Sequence, residues 1–265
     1  MASEPEGLGQ VIKAIFFDFY NTLVRFWPPL DEIQQAACNE LGLNVGKGGI
    51  ERGYSIADVY FNRENELRPL ALRTDEERLA FFARYEQIIL DNAGLPVSLD
   101  LARQVWKMAM SVPKDFMLFD DVLPALEGLR SKGYQLGVLS NLRRDMNELC
   151  QRLGLSPYLD FSISSAEAGA DKPHAPIFVA ALKRASVAAA EAVHVGDQYR
   201  SDIVGARAVG MHAVLIDRGG WQTDVDDCPR IASLPELESL LAGPIYTACT
   251  SPTRKAEGQP GDQPR

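Results

Sequence analysis

Residues 15–24 read IFFDFYNTLV, and this stretch decides the fold. An apolar run from residue 11 to residue 17 ends on a single carboxylate, Asp18, with Tyr20 and Thr22 close behind it. A short run of branched and aromatic residues is typical of a strand that is buried on both faces of a parallel sheet. We therefore predict a buried strand over 11–17 that delivers Asp18 at its end.

Four further apolar runs are similar to the first and alternate with stretches of helical periodicity. The predicted strands are YQLGVL at 134–139, FSIS at 161–164, AVHVG at 192–196 and HAVLI at 212–216. The predicted helices cover 121–132, 142–153, 175–185 and 200–209, and three of them run into a glycine, a frequent helix stop. Strands that alternate with helices predict an α/β fold, here a Rossmann-like parallel sheet with helices on both faces.

The interval from residue 27 to residue 115 breaks this alternation and is predicted to be helical. Three segments in it, PLDEIQQAACNEL, TDEERLAFFARYEQIILDNA and LDLARQVWKMAM, place apolar residues at steps of three and four. The chain then returns to the sheet through a hinge-like segment, SVPKDFMLFDD. We therefore predict an α/β core domain over 11–24 and 118–242, with an inserted all-helical cap domain over 25–117.

Charge and hydropathy exclude several classes of partner. With 27 basic and 36 acidic residues the net charge is −9, so the molecule repels a polyphosphate backbone and no nucleic acid is expected to bind. No apolar run reaches the roughly 18 residues of a membrane span, and the first ten residues are acidic, so we expect a cytoplasmic protein. The composition of both ends predicts flexible termini over 1–10 and 243–265. Nothing in the sequence specifies the oligomeric state.

Polar side chains follow four of the predicted strands. Since the carboxyl ends of parallel strands gather at one edge of a sheet, these groups are expected to meet. Taken singly, each has an ordinary explanation as a turn cap, a partner of the backbone, a surface ion pair or a charge in the first turn of a helix. Together they predict a site made of Asp18, Thr22, Ser140, Asn141, Lys172, Asp197 and Asp202.

The segments DFYNT, LSN, DKP and GDQYRSD, in this order, resemble the four signature motifs of the haloacid dehalogenase-like hydrolase superfamily. The resemblance spans residues 11 to about 242 and implies a parallel sheet with an inserted helical cap. It implies that Asp18 attacks phosphorus and forms an aspartyl-phosphate, which splits one difficult hydrolysis into two easier steps. It also implies a Mg²⁺ ion held by the Asp18 side chain, the Tyr20 main-chain carbonyl and Asp197, with Asp202 acting through water or by orienting its neighbours.

The same resemblance assigns the remaining polar groups. Lys172 would add a fixed positive charge beside Asp18 and the phosphoryl oxygens, and Thr22 and Ser140 would hydrogen-bond those oxygens. Asn141 would contact the substrate. The expected protein is a Mg²⁺-dependent phosphatase that acts on a small phosphomonoester.

Tyr20 departs from the pattern of most phosphatases in this superfamily, which carry there a second Asp that protonates the leaving alcohol and then activates water. A phenol with a pKa near ~10 can donate a proton but is a poor base. Haloacid dehalogenases carry a D-x-Y-x-T pattern and use the same Asp without metal, so a 2-haloacid is an alternative substrate, with Arg25 or Arg52 as a clamp for its carboxylate. A second alternative is a relative that binds phosphate with weak or no turnover. The Gly196-Asp197 pair favours the metal-dependent phosphatase.

Overall fold

The computed structural model describes residues 12–243, which fold around a six-stranded parallel sheet of order β5-β4-β1-β6-β7-β8. In chain order the strands are β1 (Ala14–Phe17), β2 (Val24–Trp27), β3 (Asp115–Leu118), β4 (Gln135–Ser140), β5 (Phe161–Ser164), β6 (Ala192–Gly196), β7 (His212–Ile216) and β8 (Arg230–Ile231). The helices are α1 (Leu30–Glu40), α2 (Lys47–Leu67), α3 (Asp75–Asn92), α4 (Leu99–Ser111), α5 (Val122–Ser131), α6 (Met146–Arg152), α7 (Ser165–Ala168), α8 (Ala175–Ala185), α9 (Gly205–Ala208) and α10 (Pro235–Leu241). The predicted α/β fold with a parallel sheet is confirmed.

β1 reads as an unbroken apolar run because both of its faces are covered. Successive side chains of a strand point to opposite faces. Phe17 belongs to a buried cluster with Leu126 of α5, whereas Phe16 belongs to a separate cluster with Ile177 and Phe178 of α8. The sheet therefore separates two apolar layers, each covered by helices.

β1 lies in the middle of the sheet, between β4 and β6. Phe17, the last residue of β1, pairs with Val138 of β4 and with Val195 of β6, and these two strands end within two residues of that level. The chain extends the sheet from β4 to β5 on one side and from β6 to β7 on the other. Such a switch point is where open parallel sheets bind ligands.

Three short strands were not predicted. β2 and β3 form an antiparallel pair, with Val24 opposite Leu118 and Trp27 opposite Asp115. The segment predicted as a hinge therefore contains a strand. Most residues of this pair are half-buried or exposed, so neither strand has the continuous apolar pattern that marks β1. The two residues of β8 are too few to produce any pattern.

Helices α1 to α4, here called the helical insertion, lie between β2 and β3 and share an apolar cluster that includes Ile33, Ile50 and Leu90. Helix α2 was not among the predicted helical segments, because three glycines interrupt its pattern. Gly53 is needed for packing, since a Cβ there would lie 2.3 Å from the Ile89 carbonyl oxygen of α3. The division into a core and a cap domain at residues 25 and 117 stays a prediction.

Within residues 12–243, no helix is both long enough and apolar enough to cross a membrane. The segments predicted to be flexible, 1–10 and 243–265, lie outside the described residues except for Gly243. The cytoplasmic location stays a prediction.

Candidate active site

Asp18 is the first residue after β1 and lies between the ends of β4 and β6. Its N–H donates to the Val195 carbonyl oxygen at 2.8 Å, which ties its backbone to β6. The residue is 9% exposed. Burial raises the pKa of Asp18 to about 6, with Lys172 lowering it and Asp202 raising it further.

Lys172 joins two of the predicted site residues. Its Nζ lies 2.5 Å from Asp18 Oδ1 and 2.6 Å from Asp202 Oδ1, with all three side chains buried. Burial on its own would lower the pKa of Lys172, but the charges of Asp18 and Asp202 outweigh it and raise that pKa above its ordinary value. Lys172 is therefore a permanent cation between two carboxylates.

Asn141 holds the loop that carries Lys172. The Lys172 N–H donates to Asn141 Oδ1 at 2.7 Å, and Asn141 Nδ2 donates to the Lys172 carbonyl oxygen at 3.0 Å. The two bonds fix the backbone at Lys172 from the end of β4. The structure thus gives Asn141 a positioning role, and its predicted contact with substrate stays a prediction.

Asp202 is held at both oxygens. Oδ1 accepts from Lys172 and lies 2.9 Å from His194 Nε2, and Oδ2 accepts from the Gln198 N–H at 3.0 Å. Burial on its own would raise the pKa of Asp202, but Lys172 and then His194 lower it below its usual range. With both oxygens engaged, Asp202 is suited to orient Lys172 and the turn after β6 rather than to bind a ligand directly.

The turn after β6 requires the glycine that precedes Asp197. A Cβ at Gly196 would lie 2.2 Å from Asp202 Cγ, so only glycine lets the Asp202 carboxylate approach this strand end. Asp202 itself lies in a π-helical segment, Tyr199–Val204, that continues into α9. Sequence reasoning predicted one helix over 200–209, and the wider π turn is a frequent departure at functional sites.

Asp18 and Asp197 form the candidate metal centre, and the Asp202 carboxylate lies beside them. Each offers a carboxylate oxygen, and these oxygens lie within 4.8 Å of one another. The pKa of Asp197 is raised well above its ordinary value, by burial first and then by the charges of Asp18 and Asp202. Gln198 Nε2 donates to Asp197 Oδ2 at 3.1 Å, and no ion pair to Asp197 occurs within the described part of the chain. This grouping of hard oxygen ligands with excess negative charge fits Mg²⁺.

The two predicted phosphate-binding hydroxyls are both buried at strand ends. Ser140 Oγ accepts from the Leu142 N–H at 3.1 Å, which leaves its hydrogen available for donation. Thr22 Oγ1 is buried and has no hydrogen-bond partner among residues 12–243. An unpartnered buried hydroxyl is uncommon, and a ligand oxygen would satisfy it.

Tyr20 lies where the sheet meets the helical insertion. Its ring is 5.0 Å from that of Phe26 on β2 and 6.3 Å from that of Phe116 on β3, measured between centroids. Burial raises the pKa of Tyr20 well above its ordinary value, and the charges of Asp58 and Asp197 add to the effect. The phenol therefore keeps its proton at neutral pH.

Sequence reasoning missed one acidic residue near this site, Asp58 of α2. Its charge adds to the effect of burial in raising the pKa of both Tyr20 and Asp197. Tyr54, Asp58 and Asn62 are spaced by four residues and share one helix face. The sequence contained this spacing, which could have indicated a functional helix face. A polar stripe on a helix, however, more often faces solvent.

The two arginines considered as a carboxylate clamp have other contacts. Arg52 donates from Nε and Nη2 to the Asn92 carbonyl oxygen at 3.1 and 2.9 Å, at the end of α3. The Arg25 guanidinium lies over the Phe119 ring, 5.4 Å from its centroid. Neither arginine has a recorded contact with Asp18, Lys172, Asp197 or Asp202.

Several groups meet at this site: a carboxylate at the end of the central strand, a buried lysine bonded to it, and two further carboxylates that follow the adjoining strand. Together they define a class of enzyme. This arrangement is suited to a hydrolase that uses an aspartate as nucleophile. A model of the haloacid dehalogenase-like hydrolase family matches residues 12–210. The chain belongs to this family and is a hydrolase.

Known proteins similar to this chain include both predicted kinds of enzyme. Haloacid dehalogenase-like hydrolase domain-containing protein 3 of Mus musculus is 37% identical over 91% of this chain and 97% of its own length. Glyceraldehyde 3-phosphate phosphatase of Methanopyrus kandleri is 31% identical over 80% of this chain and 87% of its own. Among solved structures, 2-haloacid dehalogenase of Pseudomonas syringae is 29% identical, covers 88% of this chain and 99% of its own, and has a TM-score of 0.51.

Proposed function

We propose that the protein is a Mg²⁺-dependent phosphatase that hydrolyses a small phosphomonoester through an aspartyl-phosphate on Asp18. The observation that carries the proposal is the group of buried Asp18, half-buried Asp197 and buried Asp202, whose oxygens lie within 4.8 Å of one another. The similarity to a glyceraldehyde 3-phosphate phosphatase supports it. The substrate is expected to be small because the reacting group lies beneath the helical insertion.

The charges of the site support a divalent cation. Lys172 compensates Asp18 and Asp202, at 2.5 and 2.6 Å, whereas Asp197 has no cationic partner among residues 12–243. A phosphomonoester would bring further negative charge to the same place. Mg²⁺ held by Asp18, Asp197 and the Tyr20 main-chain carbonyl would offset this charge and align the phosphoryl group for attack.

The chain's own residues orient the attack. Lys172 holds Asp18 Oδ1, which fixes the carboxylate and leaves its second oxygen to face the phosphorus atom. With a pKa of about 6, raised mainly by burial, Asp18 is ionised and nucleophilic at pH 7. Thr22 Oγ1 and Ser140 Oγ each have a hydroxyl proton for the phosphoryl oxygens.

A substrate panel tests the proposal. Purified protein is expected to release phosphate from sugar, triose or nucleotide monophosphates with Mg²⁺ and not with a chelator. Chloride release from 2-chloropropionate that a chelator does not affect would instead favour dehalogenation, which Tyr20 and the similarity to a dehalogenase would suit. Phosphate binding without turnover of any ester would favour a binding protein and contradict the proposal.

A further inference from the structure

We propose that Asp58, on helix α2 of the helical insertion, is the proton carrier of this active site: it protonates the leaving alcohol and then deprotonates the attacking water. The inference rests on the proposed phosphatase function and deepens it. It assigns a catalytic residue outside the four motifs, on an element that contributes nothing to the sheet.

The first support is the position of α2 over the strand ends. Asn62 Nδ2 donates to Gln198 Oε1 at 2.5 Å, and the same Gln198 side chain donates to Asp197 Oδ2 at 3.1 Å. Asp58 lies one helical turn before Asn62 on the same face of α2. A direct chain of side-chain contacts therefore connects the Asp58 face of the helix to the candidate metal centre.

The second support is the orientation of the Asp58 carboxylate. Tyr85 of α3 donates its hydroxyl to Asp58 Oδ1 at 2.6 Å, and this is the only hydrogen bond of the carboxylate recorded among residues 12–243. The side chain is half-buried, and its charge acts on both Tyr20 and Asp197. One oxygen is thus held by Tyr85, and the other has no hydrogen-bond partner recorded among residues 12–243.

The third support is the protonation behaviour of the groups around this space. Burial raises the pKa of Asp58 to about 6, and the bond from Tyr85 lowers it only in part. A carboxyl group of this kind exchanges its proton near neutral pH, as a general acid and base must. Three tyrosines interact electrostatically with it or bond to it: Tyr20 after β1, Tyr54 on α2 and Tyr85 on α3. They keep their protons, because burial raises the pKa of each well above its ordinary value.

Atoms and protons are conserved in both proposed steps, the formation and the hydrolysis of the aspartyl-phosphate. In the first, an Asp18 oxygen bonds to phosphorus, the bond from phosphorus to the ester oxygen breaks, and the Asp58 proton moves to that oxygen, so a neutral alcohol leaves. In the second, the Asp58 carboxylate takes a proton from water as the water oxygen bonds to phosphorus and the bond to Asp18 breaks. Inorganic phosphate, the Asp18 carboxylate and protonated Asp58 result, and no further reactant is needed.

The dependence on the leaving group tests this assignment. Glycerol 1-phosphate requires a proton on its leaving oxygen, whereas p-nitrophenyl phosphate has a leaving group that departs as an anion. We expect Asp58→Asn to lower kcat/KM for glycerol 1-phosphate by about 10²-fold or more, and for p-nitrophenyl phosphate by less than about tenfold. With p-nitrophenyl phosphate the variant should also show a burst of p-nitrophenolate, because the second step lacks its base.

Three variants serve as controls. Glu86→Gln changes another buried carboxylate of the helical insertion, one whose partner is Gln34, and should leave both substrates unaffected. Tyr85→Phe removes the bond that positions Asp58 and should show a smaller loss with the same dependence on the leaving group. Tyr20→Phe should show no such dependence. Activity of Asp58→Asn on p-nitrophenyl phosphate reports that the variant is folded.

Equal losses on both substrates in Asp58→Asn, or no loss on either, would overturn the assignment, as would a dependence on the leaving group that appears in Tyr20→Phe instead. Failure of the proposed function itself has a different signature. In that case the unaltered protein would release phosphate from neither ester.

Discussion

Asp202, beside the sheet, and two carboxylates of the helical insertion have different partners. Asp202, beside the sheet, lies 2.6 Å from the Lys172 ammonium group. In the insertion, Asp58 accepts from the Tyr85 hydroxyl and Glu86 accepts from the Gln34 amide, both neutral groups. The partners of Asp202, Asp58 and Glu86 therefore decide how far burial shifts the pKa of each. The pKa of Asp202 is lowered by Lys172 and then His194 against the effect of burial, whereas burial raises that of Asp58 to about 6 and that of Glu86 to about 8.

This difference suggests a division of work. Close to the sheet, fixed charges hold the nucleophile and complement an anionic substrate. In the insertion, carboxyl groups with neutral partners can gain and lose protons near neutral pH. The constant charges of Lys172 and Asp202 would thus lie beside the sheet, and the mobile proton of Asp58 would lie in the insertion.

The largest effect is expected from removing the fixed nucleophile. Asp18→Asn replaces the attacking carboxylate by an amide of the same shape, and we expect phosphate release to fall by at least about 10³-fold. A continuous phosphate assay at saturating Mg²⁺ measures it, and thermal unfolding shows whether the fold is retained. Activity within tenfold of the unaltered protein would contradict the role of Asp18.

Removing the cation between the carboxylates should be the largest change in stability. Lys172→Met leaves Asp18 and Asp202 buried without their partner, and we expect a loss of about 3–5 kcal/mol in the free energy of unfolding, measured in urea. The matched control is Lys132→Met, because Lys132 pairs with Glu238 at 2.5 Å on the exposed surface. That change should be at most about 1 kcal/mol. Similar losses in both variants would remove the contrast between the two environments.

The carboxylates of the insertion should make the stability of the protein depend on pH. Burial raises the pKa of Glu86 from 4.5 to about 8, so the folded protein binds more protons there than the unfolded chain, and this contribution to stability falls as pH rises from about 5 to 8. Glu86→Gln removes the titration. Between pH 5 and pH 8 we expect the free energy of unfolding of this variant to fall less than that of the unaltered protein. The two falls should differ by an amount on the order of 2 kcal/mol. Parallel curves for the two proteins would indicate that Glu86 is not protonated in the fold.

The smallest expected effect concerns the bond that joins the two regions. Asn62→Ala removes the donor to Gln198 Oε1, a partly buried bond between the insertion and the turn after β6. We expect a loss of about 0.5–1.5 kcal/mol in urea unfolding. Arg63→Ala, an exposed change at the next residue of α2, should stay within about 0.5 kcal/mol of the unaltered protein. A loss in Arg63→Ala equal to that in Asn62→Ala would mean that the bond contributes nothing specific.

The sequence allowed the sheet and the residues at its strand ends to be predicted for a physical reason. β1, β4, β5, β6 and β7 are buried on both faces, so most of their residues are apolar and polar groups follow their ends. β2 and β3 were not predicted because most of their residues are half-buried or exposed, and their side chains are a mixture of apolar and charged groups. Helix α2 lies inside the interval predicted to be helical, but it was not identified as a separate segment because the glycine that its close packing on α3 requires dilutes the helical pattern.

Asp58 could not be predicted by the same argument. A single acid in the middle of a helix has no fixed distance in sequence from Asp18, and its meaning depends on how the insertion packs over the sheet. Gln198 was overlooked for a related reason, since the side chain of a turn residue acquires its role only through its contacts with Asn62 and Asp197. Sequence motifs identify the site residues that directly follow the strands. Asp58 and Gln198 join the site only through tertiary packing.

Turnover in water enriched in ¹⁸O, followed by mass analysis of the phosphate and of the peptide that contains Asp18, tests the central claim most directly. If Asp18 attacks phosphorus, water then attacks phosphorus too, so we expect the label in the released phosphate and an Asp18 peptide of unchanged mass. An Asp18 peptide that gains heavy oxygen would show attack at its carboxyl carbon, as expected of a carbon ester formed from a haloacid. That result, or the absence of label from both products, would contradict the account.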